Sequence, residues 1–483
     1  MEYKLSWDKL FCCKRERKSS TNIDHRNEFE KDYDRIVSSS SVRRLQDKAQ
    51  VFPLQENDFT RTRLTHSIEA SAISRSLGVA IEKWLLEQNE INKEDQGKLP
   101  ALLQVSALIH DLGNPPFGHY GEDIIKNWFN KWLNSEEFNK FNNNLDENIR
   151  LKEEEKSDFI NFEGNAQTLR IVTKLQLLND QYGVNFTYGT LATIMKYPWS
   201  SSDNRFINEG FKKFGYFWSE KCIAKRVQKD TGLNDGIRHP ATFLLEASDD
   251  IAYLCADIED GVKKGVIPWN EEYKKIKEKL VKNCKYEEVF KDLDKRINNN
   301  KKNKIPDETL ASIQNFKISV QRMLFEGAVK SFKENYDNIM KGKFEHNGLI
   351  DNCGLDELVE ELKSLAIRYC FVDKEVLTLE LVGDTVINGL LDIFVSALIK
   401  FNDKSNDKAM HEPKAKTREG KLYNLISPNF KYVCSLDYEK EKKKKFEEIR
   451  IYDKLLLITD FISGMTDSYA VNLYKELLGV RLP

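Results

Sequence analysis

The stretch that most restricts the fold is an apolar run with helical spacing, Leu102, Leu103, Val105, Ala107, Leu108 and Ile109, halted by His110–Asp111–Leu112–Gly113–Asn114–Pro115–Pro116–Phe117–Gly118–His119–Tyr120–Gly121–Glu122. Gly113 and the Pro115–Pro116 pair must end that helix within a residue or two of the His-Asp dipeptide. His110, Asp111, His119 and Glu122 therefore surround a forced turn directly after an apolar helix. Adjacent helical residues point about 100° apart, so His110 and Asp111 can share one metal ion only near a helix end or slightly to one side of it.

The rest of the chain is dominated by helix-period patterns, and no series of evenly spaced alternating strands supports a sheet. A mainly α fold is expected, and the low count of 23 glycines and 11 prolines suits long helices joined by loops. Helices are predicted at Leu355–Ile367, Glu375–Ile399 and Lys454–Leu478. Three hydrophilic stretches, Asn134–Asp158, Asn270–Glu308 and Asn402–Gly420, read as insertions or mobile loops, the second partly as a charged helix pair. A short β-hairpin is expected near Asn185–Thr193 or Phe206–Trp218. Because no Pro- or Ser-rich linker cuts the chain, residues 1–310 are read as a catalytic core with its N-terminal segment, and residues 311–483 as a C-terminal helical region packed on it.

Charge and cysteine usage narrow the classes. The 75 basic residues are nearly matched by 77 acidic ones, a balance that disfavours a nucleic-acid-coating protein. Lys442–Lys445 reads as part of a solvated helix face or loop. Scattered cysteines without a C-x-x-C pair fit a reducing cytoplasm, and no apolar run approaches the roughly 20 residues of a membrane span.

Two distant segments supply what the His-Asp turn still needs. In Thr60–Arg61–Thr62–Arg63–Leu64–Thr65–His66–Ser67, a histidine opens a helix with apolar residues at Ile68, Ala72, Ile73, Leu77, Val79 and Ile81. In Ser248–Asp260, the apolar Ile251, Leu254, Cys255 and Ile258 fall on one side, while Asp249, Tyr253 and Asp257 recur at i, i+4, i+8 on another. A lone buried histidine is ordinarily a satisfied core group, and the weight rests on the ordered set His66, His110–Asp111, Asp249.

With that set the chain resembles the HD-domain metal-dependent phosphohydrolases. Within them it is similar to the bacterial deoxyguanosine triphosphate triphosphohydrolase family. The resemblance is carried by Arg26, Phe29, Asp32, Arg35–Ile36, Arg43–Arg44–Leu45, Gln50–Val51–Phe52, the segments around His66 and His110–His119, Phe162–Gln167, Lys196–Tyr197–Pro198 and Ser463–Asp467. It spans about Arg26 to Ala470 and implies an HD-type helical bundle with helical insertions and a C-terminal helical extension.

Two imidazoles and two carboxylates suit a divalent ion, with Mg²⁺ or Mn²⁺ favoured and Fe²⁺, Co²⁺ or Zn²⁺ compatible. Because two carboxylates cancel such an ion's charge, an anionic substrate needs further cations, and Arg63 and Lys196 beside Tyr197 are the candidates. His119 and Glu122, three apart, can pair if a helix restarts after Gly118, so that the ring delivers a proton to a departing 5′ oxygen. Tyr253 can pack under a deoxyribose where a 2′-hydroxyl would collide, and Asp257 can accept from the 3′-hydroxyl. The resemblance puts Gln50 near that hydroxyl and Asn114 near the phosphates, with Asn165 also on the phosphate side.

The resemblance departs from the mammalian HD triphosphohydrolase, in which a lysine follows the metal aspartate and a histidine stands at the position of Asn114. Here Asp250 follows Asp249, so Lys196 must replace that phosphate clamp.

The expected activity is cleavage of dGTP to deoxyguanosine and tripolyphosphate by water attack at the α-phosphorus. A broad dNTP triphosphohydrolase, another HD nucleotide phosphohydrolase and a nucleic-acid-binding regulator with a vestigial site are the alternatives. A homo-oligomer, hexameric in many family members, with single-stranded DNA as a regulatory partner and no membrane association, completes the expectation.

Overall fold

The computed structural model describes residues 3–18, 24–52, 60–203, 213–344, 348–402, 416–438 and 442–480. Its centre is the helix Lys98–Ile109, in which every residue from Leu99 onward except Gln104 is buried. A helix apolar on all sides must be enclosed by others. It is wrapped by Arg63–Glu87, Glu28–Val37, Tyr188–Ile194 and Pro240–Lys263. Each aliphatic side chain enclosed this way contributes roughly 1.5–3 kcal/mol. Its N-terminal amides are satisfied from a neighbour: Glu82 accepts from Gly97 N at 2.9 Å and from Leu99 N at 3.2 Å.

The Arg63–Glu87 helix starts at a capping box of Thr62 and Thr65. Its buried face is not the apolar stripe read from the sequence. Ile68 and Val79 are exposed, whereas Ser67, Ala70, Ser71, Ser74 and Gly78 face inward with His66, Leu77 and Ile81. The cause is close approach: a Cβ on Gly78 would lie 2.7 Å from Pro100 Cα. Small residues are what this crossing admits.

The C-terminal half adds Glu308–Glu334 and Asp356–Tyr369 alongside Pro240–Lys263, then the long helix Lys374–Asn402 against Gly118–Leu133, Arg418–Leu425, Ile451–Ser463 and Asp467–Leu477. One segment, Lys374–Lys400, is apolar and long enough to cross a membrane by length and composition, unlike the expectation from sequence, with 44% of its most apolar window buried. Ile387, Leu390, Leu391 and Phe394 are buried in the core, which accounts for much of that apolarity.

Several local expectations are corrected. Asn185–Thr193 is not a hairpin: Thr187 caps a helix, accepting from Thr190 N at 3.2 Å, and also donates to the buried Asp32 at 2.7 Å. Of Phe206–Trp218, residues 206–212 lie outside the described residues, and Tyr216 makes an isolated bridge with Ser200. Among the described residues the one ladder pairs Leu436–Asp437 with Lys442–Lys443, so the lysine run begins as an exposed strand. Lys454–Leu478 is two helices, because Thr466 caps a new start by accepting from Tyr469 N at 3.3 Å. Asn134–Asp158 contains Glu136–Asn143 and most of Glu153–Ile160, and Asn270–Glu308 is largely the helices Trp269–Leu280 and Cys284–Lys302. Most of Asn402–Gly420 lies outside the described residues.

Candidate active site

His66, one turn into its helix, and His110, at the end of the central helix, bring their rings to 5.5 Å between centroids. His110 Nδ1 donates to Ala107 O at 2.7 Å, which fixes the tautomer and turns the Nε2 lone pair into the cleft. Nε2 has no hydrogen-bond partner, yet it lies 3.3 Å from Asp249 Oδ1 and 3.4 Å from Asp111 Oδ1. His66 Nε2 lies 3.0 Å from the same Asp249 oxygen. The donor atoms of His66, His110 and Asp111 all fall within 4.8 Å of one another. An orphaned buried lone pair among two carboxylates and a second imidazole is a donor set that fits a divalent ion.

Each carboxylate is also held from outside. Asp111 Oδ2 pairs with Arg63 at 2.8 Å and its Oδ1 accepts from Asn114 Nδ2 at 2.8 Å. Asp249 Oδ2 pairs with Lys196 at 3.4 Å. Burial by itself would raise the Asp249 carboxyl, but His110 and Lys196 outweigh it and hold it well below the usual carboxylate range. Burial would lower His110, and the charges of Asp111 and Asp249 reverse that.

The turn between His110 and His119 is built by close approach. A Cβ on Gly113 would lie 2.0 Å from Gly164 O, so the start of the Gly164–Arg170 helix packs directly on it. Phe117 and Gly118 both have positive φ, 62° and 61°, and a Cβ on Gly118 would meet Arg63 Nη2 at 2.5 Å. The expected helix restart occurs here, over Gly118–Leu133. His119 is 72% exposed, with Nδ1 3.5 Å from Glu122 Oε2, while Glu122 is buried and accepts from Gly164 N at 3.0 Å. Burial would raise the Glu122 carboxyl, and His119 brings it below its ordinary value.

The Asp249 helix shows the cleft a stripe wider than expected. Glu246, Asp249, Asp250 and Tyr253 are the half-buried residues of this stretch, whereas Asp257 is buried. Asp250, pushed up to about 8 by burial and then by Asp249 and Glu246, is part of the cleft wall. Asp257 is pushed up to about 8 by burial and by Asp260. Gln50 is half-buried with Oε1 lacking a partner, and Tyr197 packs on Trp199 with centroids 5.9 Å apart. Asn165 is half-buried and donates one amide hydrogen to Glu163, the cap of its helix, at 2.6 Å.

The structure adds Lys213, which no sequence signal singled out. Burial would lower its ammonium, but the charges of Tyr197, Glu163 and Glu122 raise it, so a third cation acts in the field of these groups. It stands in a short Lys-Lys-Phe stretch without periodicity, and only the fold brings it there.

A mainly helical body with a His, His-Asp, Asp cluster at the end of its central helix defines an HD-type hydrolase. The HD domain family matches residues 63–161. A deoxyguanosinetriphosphate triphosphohydrolase-like protein of Listeria monocytogenes is 41% identical, covering 99% of this chain and 100% of its own length. A like-named protein of Synechocystis sp. is 32% identical over 99% and 100%. A deoxyguanosinetriphosphate triphosphohydrolase of Salmonella typhi is 31% identical over 94% of each chain. The chain belongs to the deoxyguanosinetriphosphate triphosphohydrolase family of HD-domain proteins.

Proposed function

We propose that this chain hydrolyses a deoxynucleoside triphosphate, dGTP preferred, between the 5′ oxygen and the α-phosphorus, releasing the nucleoside and tripolyphosphate. The observation that carries the reading is the convergence of His66 and the unpartnered His110 Nε2 on Asp249 Oδ1, at 3.0 and 3.3 Å. His66, His110, Asp111 and Asp249 would hold one divalent ion, Mg²⁺ or Mn²⁺ by hardness. Such an ion supplies Lewis-acid polarisation of the phosphate and activation of water.

The remaining steps fall to side chains. Arg63 and Lys196, each already paired with a site carboxylate, bind phosphate oxygens, with Asn114, Tyr197 and Asn165 beside them. His119, held by Glu122, gives a proton to the departing 5′ oxygen. Tyr253 excludes a 2′-hydroxyl, and Asp257 and Gln50 hold the 3′-hydroxyl. Residues 1–310 form the catalytic body, with residues 311–483 packed on it, a packing supported by the buried pair of Arg170 and Asp460, 2.7 Å apart. The guanine preference is supported by the names of relatives. A cytoplasmic homo-oligomer regulated by single-stranded DNA completes the reading.

The test is incubation of the purified protein with each of the four dNTPs and GTP, in Mg²⁺ and then Mn²⁺, with product identification. Nucleoside plus tripolyphosphate is expected. Release of orthophosphate or pyrophosphate overturns the reading in favour of another HD phosphohydrolase.

A further inference from the structure

The Ser463–Asp467 segment has no role in the chemistry above, yet its last residue reaches the catalytic turn from across the molecule. Asp467 is fully buried. Its Oδ1 accepts from Phe117 N at 3.0 Å and its Oδ2 from Ala49 N at 2.9 Å. Lys48, also buried, donates to Asn114 O and, at 3.1 Å, to Ser463 O. Lys48 O in turn accepts from Arg63 N at 3.0 Å, the first residue of the His66 helix. One carboxylate and one ammonium thus tie a terminal segment to the residues flanking Gln50, Arg63, Asn114 and His119.

The point of attachment is where the backbone needs holding. Phe117 is a non-glycine residue in the left-handed region, followed by Gly118 in the same region, and His119 comes next. Such a conformation persists only where surroundings over-determine it. Two restraints come from the C-terminal half: Asp467 on the Phe117 amide, and Gly383, whose missing Cβ would lie 2.8 Å from the Phe117 ring.

We infer that Asp467, braced by Lys48, is a positioning residue that pins the Phe117–Gly118 turn and thereby aims His119. The C-terminal segment is then part of the catalytic unit. This rests on the reading of His119 as proton donor given above.

The test uses the full chain with Asp467→Asn. An amide offers one acceptor oxygen where the carboxylate offers two, so either Phe117 or Ala49 loses its partner. Hydrogen exchange should quicken in the peptide spanning residues 112–120 while the peptide spanning 240–263 stays at the wild-type rate. With whichever nucleotide the wild type turns over, kcat should fall about 30-fold with KM changed less than about threefold. Mn²⁺ affinity should hold within about twofold, because Asp467 touches none of the four metal-site residues.

In a His119→Ala background the same change should cost little further, since both act through one group. Lys48→Met provides a second variant should Asp467→Asn fold poorly, and the same quickening at 112–120 is expected. Unchanged exchange at the turn, or losses that multiply in the double variant, overturns the inference. Wild-type kcat in His119→Ala alone overturns the proton-donor assignment instead, and the exchange measurement still decides the pinning.

Discussion

Lowering the pH should weaken this protein through a histidine that takes no part in the chemistry. His239 caps the helix Pro240–Lys263, which carries Asp249, Tyr253 and Asp257. Its Nδ1 accepts from Ala241 N at 3.0 Å and its Nε2 lies 3.2 Å from Leu10 O, so the neutral ring satisfies both neighbours. A second proton would set an N–H against the Ala241 N–H inside the core. Burial accordingly pushes the imidazole down to about 4 from its ordinary 6.5.

The folded value lies below the unfolded one, so the unfolded chain takes up the extra proton. The stability is present above pH 6.5 and is lost as the pH falls toward 4. The full loss is about 3 kcal/mol, of which about 2 kcal/mol falls between about pH 7.5 and about pH 5. The control is His239→Asn, whose side-chain oxygen can still cap Ala241 but does not titrate. Urea midpoints of both proteins, metal-free and at one protein concentration, should differ most at the higher pH. Their stability difference should shrink by about 2 kcal/mol toward about pH 5. A difference constant to within about 0.5 kcal/mol across that range refutes the reasoning.

Two further outcomes follow from the site. His119→Ala should lower kcat by about 100-fold or more while leaving Mn²⁺ affinity, measured by calorimetry, near wild type; turnover at the wild-type rate contradicts the proton-donor role. Tyr253→Ala should narrow the dGTP-to-GTP ratio of kcat/KM by about tenfold or more, because the ring no longer blocks a 2′-hydroxyl. An unchanged ratio removes Tyr253 from sugar selection.

The central helix was legible because burial on every side leaves an unbroken apolar run, and its end was legible because Gly113 and Pro115–Pro116 forbid continuation. The His66 helix was located correctly but its inner face was misread. Hydropathy ranks Ile68 and Val79 above Ser67, Ser71 and Ser74, whereas the Gly78–Pro100 approach selects for size, and small polar residues win the interface. Thr187 and Thr466 explain two other misreadings: each is a cap whose effect depends on one hydroxyl meeting one amide, a signal that residue periodicity averages away.

For the site, what could be read was whatever lies within a few turns of one helix: His110 with Asp111, His119 with Glu122, Asp249 with Tyr253. What could not be read are the partners that arrive through the fold, Lys213 in the field of Glu163 and Glu122, and Asp467 under Phe117. Arg63 and Lys196 were offered by the sequence as cations, and the fold gives each its carboxylate. Asp111 turns one oxygen toward His110 and the other to Arg63; Asp249 turns one toward both imidazoles and the other to Lys196. A divalent ion held by the two carboxylates would be neutralised by them, and the charges of Arg63 and Lys196 would then leave the cleft net positive. The triphosphate proposed as substrate would need that surplus, and it would come from cations lent by two segments that meet His66, His110, Asp111 and Asp249 only once the chain has folded.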